Sequence, residues 1–428
     1  MSKKASSRNA QGTGTIRKKT VTRNGKPYTY WEARYTEGRD PGTGKQVQKS
    51  IYGRTQKEVR EKLQAISVTL NTGTYTAPNK LTVGEWAAIW LQEYNAKVKE
   101  TTLDAYRKTI DTHIRPAMGN IELARLNTET IQKFYNGLLD HGRTVPQRDN
   151  DGKVIKKSGK PVTEEAPMSA KTVRNIHGVL HKLLAKAVAL KKIPFNPADN
   201  SLVELPRATR KEIAPLDTEQ IGEFVQRIQG TKYEDVFMVA LFTGMRQSEV
   251  LGLTWDCIDF KAGTIKVVKQ LTRRTENNEA YHFTTPKSNK GRIIKPAATV
   301  MDILKRRRAK QAQQRLLAGE AWESENPAGI SNLVFANELG GNLSQNTIRT
   351  NFKEIVAEMG IPDARFHDLR HSYAVASLQN GDDIKTVQGN LGHATAAFTL
   401  DVYGHVTDQM KQDSADRMQA FITGLKKA

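Results

Sequence analysis

Two polar, proline-bearing breaks limit what this chain can fold into more than any other feature. The first is "YTAPNKL" at residues 75–81 and the second is "NSLVELPRATRKEIAPLDTEQ" at residues 200–220. Neither carries a periodic apolar face, so neither belongs in a core, and they divide the 428 residues into three segments. The reading is a multi-domain chain. A disordered basic arm covers residues 1–11, a small domain 12–76, a helical domain 78–205 and a larger domain 210–428.

In the first segment, "GTIRKKTVTRNGKPYTYWEARYTE" alternates around the turn signal "NGKP", and "KQVQKSIYG" reads as a third strand. Then Val59, Leu63, Ile66 and Leu70 recur at helical spacing behind a Thr55–Glu58 capping box. This predicts a small three-stranded β-sheet plus helix. Its basic face interleaves aromatics among cations: Arg17, Lys18, Lys19, Tyr28, Tyr30, Trp31 and Arg34. A β-ribbon of this size fits a DNA major groove, although Trp31 is expected to pack on the helix instead. Charge enters here. The chain has 66 Lys and Arg against 45 Asp and Glu, and residues 1–80 hold 17 of the former and only 5 of the latter. A basic first fifth points to a polyanion partner, most often nucleic acid. A merely soluble or ribosome-associated basic protein is the plainer alternative.

The second segment predicts an all-α helical bundle. "TVGEWAAIWLQEY" opens with a Thr82–Glu85 capping box, "TTLDAYRKTIDTHI" ends before Pro116, and "NTETIQKFYNGLLD" and "SAKTVRNIHGVLHKLLAKAVAL" supply two more helices. Residues 143–167, "RTVPQRDNDGKVIKKSGKPVTEEAP", are too long for an ordinary helix connection and predict an exposed loop or small hairpin. The third segment, after an Asp217–Gln220 capping pair, predicts helices, then strands at "CIDF", "TIKVVKQ" and "GRIIKP", then helices to the end. That is a mixed α+β, mainly helical domain, in which "RRRAKQAQQRLLAGE" is the charged face of a helix.

Several classes drop out. The longest apolar run, "VFMVALF", is far below the roughly 20 residues that span a bilayer, so no membrane association is expected. The first residues lack the apolar stretch of a secretory signal. A single cysteine, Cys257, excludes an internal disulfide and any multi-cysteine metal site. A reducing, cytoplasmic location is expected.

Four pieces of the third segment could carry chemistry: "TGMRQSEVLGLTW" with Arg246 and Glu249, "TTPKSNKGRIIKP" with Lys287, "FHDLRHSYA" with His367 and Arg370, and "LGHATAAFTLDVYGHV" with His393 and Tyr403. His367 and Arg370 share a helix face at i, i+3. If the pieces converge, two guanidinium forks, an ammonium and two imidazoles surround a site beside a phenol. Arginine forks match phosphate oxygens and suit the charge of a phosphoryl-transfer transition state. Fixed cations could then replace the metal that a nuclease would need, and Tyr403 could attack phosphorus. Each residue also has a structural reading. Arg246 could bridge to Glu249, His367 and His371 could cap or stack, and Tyr403 could be ordinary core.

The ordered set resembles the tyrosine recombinases, the phage-type integrases, over residues 210–410. The resemblance implies that Arg246 and Arg370 clamp a scissile DNA phosphate and that Lys287 is the general acid for the leaving 5′ oxygen. His367 and His393 would support proton transfer and hold the phosphate, and Tyr403 would be the nucleophile. Residues 12–76 resemble the arm-binding domain of conjugative-transposon and related phage integrases, and residues 78–205 the core-binding helical domain. The implied activity is site-specific recombination of double-stranded DNA at attachment core and arm sites through a 3′-phosphotyrosyl bond, without metal, nucleotide or other cofactor. The implied use is to integrate, and also to excise, a phage or mobile element. The implied partners are three further copies in a homotetramer, an excisionase and a host DNA-bending protein, acting at the nucleoid of a bacterial host. A final amphipathic helix with Met418, Phe421, Ile422 and Leu425 would dock on a neighbouring copy. "RQSE" replaces the commoner "R-[basic]-G-E", and residues 143–167 are an insertion in the usual pattern. A DNA-binding regulator or architectural factor that no longer cleaves is the alternative from another class.

Overall fold

A computed structural model describes residues 15–392 except 24–25, 40–41, 73–79, 96, 150–152, 210–213, 274–280, 287–290 and 325–328, with scattered positions from 412 to 423. The basic arm, most of the first break and the proposed turn at "NG" lie outside the described residues. The chain packs as two compact units, Met1–Arg210 and Lys211–Ala428.

The first unit opens with an antiparallel sheet of order β1 (Thr15–Arg23), β2 (Lys26–Arg39) and β3 (Gln46–Gly53), followed by α1 (Gln56–Asn71). Strand alternation sends Ala33 and Tyr35 to one face, where they are buried with Val59 and Leu63 of α1, and Trp31 packs on the same cluster. The register sets Arg17 opposite Glu32 and Lys18 opposite Trp31. Lys18 and Trp31 therefore belong to the helix-side face, and the single basic face expected from the sequence does not form. Neighbouring residues on a strand point to opposite sides. The open face keeps Arg17, Lys19, Tyr28 and Arg34 and gathers three of them around one buried acid. Glu32 pairs with Arg17 at 2.6 Å, with Lys19 and Arg34 each at 3.9 Å. The Arg17 hydrogen bond holds the Glu32 carboxyl below its ordinary range. Thr55 caps α1 as expected, but Glu58 returns its carboxylate to the Arg54 N–H rather than to Thr55.

The bundle follows as α2 (Val83–Glu93), α3 (Glu100–Thr109), α4 (Arg115–Met118), α5 (Thr128–His141) and α6 (Ala170–Ala189). The Thr82–Glu85 capping box forms in both directions. Trp86, buried at the centre, donates its indole N–H to the Leu183 carbonyl at 2.9 Å. The helix through "TIDTHI" does not stop before Pro116. A π-turn over Ile110–Ile114 lets the Arg115 N–H reach the Ile110 carbonyl five residues back, and Pro116 falls in the first turn of α4, where its missing N–H is not needed.

Between α5 and α6 the insertion is a small β module. Its stem pairs β4 (Arg143–Pro146) with β7 (Thr163–Ala166), and its tip pairs β5 (Lys156–Lys157) with β6 (Lys160–Pro161). Ser158 and Gly159 both take positive φ at the turn. None of its described residues is buried.

The second unit starts with α7 (Thr218–Ile228), capped in both directions by Asp217 and Gln220, then α8 (Glu234–Thr243) and the short α9 (Gln247–Leu251). The strands are β8 (Ile258–Asp259), β9 (Thr264–Val267), β10 (Gln270–Arg273), β11 (Tyr281–Thr284) and β12 (Arg292–Ile294). They form one sheet of order β12-β9-β8 and a separate β10-β11 pair. The helices α10 (Ala298–Ala318), α11 (Gln345–Glu358), α12 (Phe366–Gln379) and α13 (Ile384–Leu391) complete the described fold. The β10-β11 pair has no counterpart in the sequence reading, whose strand "TIKVVKQ" covers β9 and ends at the first residue of β10. The charged run of α10 is also not wholly solvated: Arg307 turns inward and donates to the Val334 and Ala336 carbonyls at 3.2 and 2.9 Å. An aromatic cluster of Phe224, Phe237, Phe352 and Phe366 joins α7, α8, α11 and the start of α12. This packing fixes the base of the site. Among the described residues no helix is long and apolar enough to cross a membrane.

Candidate active site

The site begins where α8 ends. This helix is buried on nearly all sides, and it stops at Gly244 in the left-handed conformation, φ 62°. A Cβ at Gly244 would lie 2.5 Å from Tyr373 and 2.7 Å from Leu391, so both the turn and the close packing demand glycine. Two residues later the backbone is extended at Arg246, which is the N-cap of α9. The Arg246 N–H donates to Glu249 Oε2 at 2.9 Å, and its Nη1 donates to Oε1 at 2.8 Å. The bridge considered as the structural reading of Arg246 is therefore present.

Glu249 is completely buried, and a second guanidinium meets it from β12. Arg292 donates from Nη1 to Oε1 at 3.0 Å and from Nη2 to Oε2 at 2.7 Å. Its Nε donates to the Asn390 carbonyl at 2.6 Å. Burial pushes the Glu249 carboxyl up, but the Arg292 hydrogen bonds and charge, helped by Arg246, outweigh it and hold the group at about 2. Sequence reasoning missed Arg292. A signal was available: strand alternation in "RII" puts Arg292 on the same face as the buried Ile294, while Ile293 is 63% exposed.

Arg370 comes from α12. It is 2% exposed, and it donates from Nη1 to the Gly244 carbonyl at 2.7 Å and from Nη2 to the Leu391 carbonyl at 2.6 Å. These carbonyls close the C-termini of α8 and α13, where a fixed cation is favoured by the helix dipoles. One turn earlier on α12, His367 stacks edge-on against His371, with centroids 4.9 Å apart. The stacking reading of this pair holds as well. Burial first, then the charges of Arg370 and Arg246, push the His367 imidazole down to about 4. Burial and His367 do the same to His371, also to about 4. Both arginines thus act electrically on one imidazole. Arg246, His367 and Arg370 are brought together, while Lys287, His393 and Tyr403 lie outside the described residues. His393 directly follows Gly392, the left-handed cap of α13, and a Cβ at Gly392 would sit 3.0 Å from Arg292 Cδ.

The two imidazoles make stability depend on acid. The unfolded chain takes up their protons near pH 6.5, whereas the folded chain resists until about 4, so unfolding binds protons between these values. Stability contributed by the neutral rings is full above about pH 6.5 and is lost as pH falls toward 4. Denaturant titrations across this window should give a slope approaching two protons per molecule, and a histidine-to-asparagine change at both positions should flatten it. An unchanged slope in that variant would assign the acid sensitivity elsewhere.

With this geometry in place, comparison with known proteins gives the class. Residues 212–410 match the phage integrase family and residues 82–139 match the phage integrase N-terminal SAM-like domain. The chain belongs to the phage integrase family of tyrosine recombinases. It is 26% identical to a XerC-like tyrosine recombinase of Caldanaerobacter subterraneus, over 94% of this chain and 98% of that protein. It is 24% identical to the ICEBs1 integrase of Bacillus subtilis, over 90% and 95% of the two chains. Its fold is similar to that of the Tn1549 transposon integrase solved with circular intermediate DNA. The TM-score is 0.61 at 20% identity, covering 79% of this chain and 99% of that one.

Proposed function

We propose that this site-specific recombinase cuts and rejoins double-stranded DNA through a 3′-phosphotyrosyl bond at Tyr403, to integrate and excise a mobile element. The convergence of Arg246, Arg370 and His367 carries this reading. Two guanidiniums and an imidazole held neutral by burial suit a phosphate whose charge grows in the transition state. Arg246 and Arg370 clamp the scissile phosphate, and Lys287 protonates the leaving 5′ oxygen. His367, with a depressed basicity, donates a hydrogen bond to a phosphate oxygen and shares proton transfer with His393. The test is an SDS-resistant protein–DNA adduct on a nicked core site. Tight binding without any adduct would favour the regulator reading.

In this proposal the β1–β3 sheet is the arm-binding domain, the α2–α6 bundle is the core-binding domain, and the second unit is catalytic. The open sheet face offers Arg17, Lys19, Tyr28 and Arg34 to arm-site DNA, with Lys18 on the other side. The β module between α5 and α6 adds four exposed lysines, Lys153, Lys156, Lys157 and Lys160, for backbone contacts beside the core site. A homotetramer on DNA, an excisionase and a host DNA-bending protein complete the assembly, which works at the nucleoid in the cytoplasm.

Salt titration of binding separates the two surfaces. Each lost phosphate contact lowers the log–log salt slope by about 0.9. Deleting residues 1–76 should lower the slope on arm sites and leave core-site cleavage intact. Changing the four lysines to alanine should lower the slope on core sites by about 2 to 4. Unchanged slopes would remove the corresponding surface from the DNA footprint.

A further inference from the structure

Arg246, Glu249 and Arg292 form a charged triad with a net charge of +1. Arg292 is the more buried guanidinium, its side chain 9% exposed against 20% for Arg246. Every edge of its fork is used: both Nη atoms face Glu249, and Nε faces the Asn390 carbonyl, three residues before His393. No lysine could reach three acceptors in this way.

We propose that Arg292 is a positioning residue for strand cleavage, acting through Glu249 and through the end of α13. This rests on Arg246 being a phosphate clamp. The first role is electrical. Glu249 fixes the Arg246 backbone and guanidinium, but alone it would cancel the charge that Arg246 brings to the phosphate. Arg292 supplies the compensating charge from the buried side, so Arg246 is held by an acid without being neutralised by it. The second role is mechanical. The Nε bond ties β12 to the turn that leads into His393, so the clamp arginine and the chain carrying His393 share one anchor.

A purely structural ion pair would behave differently. Neutralising the acid as well would then restore stability, since no buried charge is left unpaired, but it would not change the cleavage rate of folded protein, whereas the electrical role predicts that the rate itself recovers. Single-turnover cleavage of nicked core-site DNA by the full chain tests this, run below the thermal midpoint of every variant. Arg292→Met is expected to slow cleavage on the order of 100-fold while core-site affinity changes by only a few-fold. Glu249→Gln combined with Arg292→Met is expected to recover about tenfold over Arg292→Met alone, because the net +1 charge is restored while the Asn390 anchor is still missing.

Cleavage at the wild-type rate in Arg292→Met, or a double variant no faster than the single one, overturns the proposal. If Arg292→Met does not fold, Arg292→Lys decides. It keeps the charge, so it should cleave within about tenfold of wild type, and a loss as deep as that of Arg246→Ala overturns the electrical role. A wild-type chain that forms no Tyr403-linked adduct defeats the functional reading itself, whereas a wild-type adduct without rescue defeats only the role of Arg292.

Discussion

Tyr403→Phe is expected to bind core-site DNA as tightly as the wild type and to form no covalent adduct at all. The change deletes one oxygen and keeps the ring, so packing and DNA affinity should be preserved while the proposed nucleophile is gone. The wild-type reaction must itself overcome a shortage of phenolate. With a free pKa near 10, about one phenol in a thousand is ionised at pH 7, worth roughly 4 kcal/mol at about 1.4 per unit. In the proposed site, the guanidiniums of Arg246 and Arg370 would recover part of this by favouring the anion. Incubation with nicked core-site DNA, followed by SDS electrophoresis, reads the outcome directly. An adduct that persists in Tyr403→Phe would move the nucleophile to another side chain.

Arg370→Ala should have the second largest effect, and it should show in two measurements. In the proposed clamp Arg370 would face the phosphate, and losing such a cation is expected to cost cleavage about a thousandfold or more. As a buried fork, it also meets the carbonyls of Gly244 and Leu391. Leaving two buried carbonyls unpaired costs about 1 to 3 kcal/mol each, so the denaturation midpoint of the second unit should fall visibly. Arg370→Lys keeps the charge but cannot span both carbonyls, so it should recover less than the conserved charge suggests. Full stability in Arg370→Ala would mean that the two carbonyls find other donors. Full cleavage would remove Arg370 from the clamp.

Much of this was legible locally. Capping boxes at Thr82 and Asp217 mark helix starts because the side chains involved are three residues apart. His367 and Arg370 announce a shared face because the helix period brings them together. What failed to show depends on distance or register. Glu249 meets Arg292 across 43 residues of chain, and only tertiary packing of a helix against a strand places them together. Glu32 is an acid in a basic segment, and its role as a hub appears only when β1 and β2 align. The misassigned Lys18 is a one-residue question, since adjacent strand positions face opposite ways. Pro116 reads as a helix end until the π-turn ahead of it is seen. Lys287, His393 and Tyr403 rest on motif order alone.

The small β module has a different lesson. It hangs from the ends of α5 and α6 by a four-residue stem, and the Met168 N–H closes its neck onto the Leu138 carbonyl at 3.0 Å. None of its described residues joins the bundle core, so its tip can be lengthened, shortened or exchanged without retuning the helices. For anyone wishing to redirect such an enzyme, this neck is a ready grafting point: foreign sequence inserted beyond the stem would be borne by a scaffold that does not depend on it.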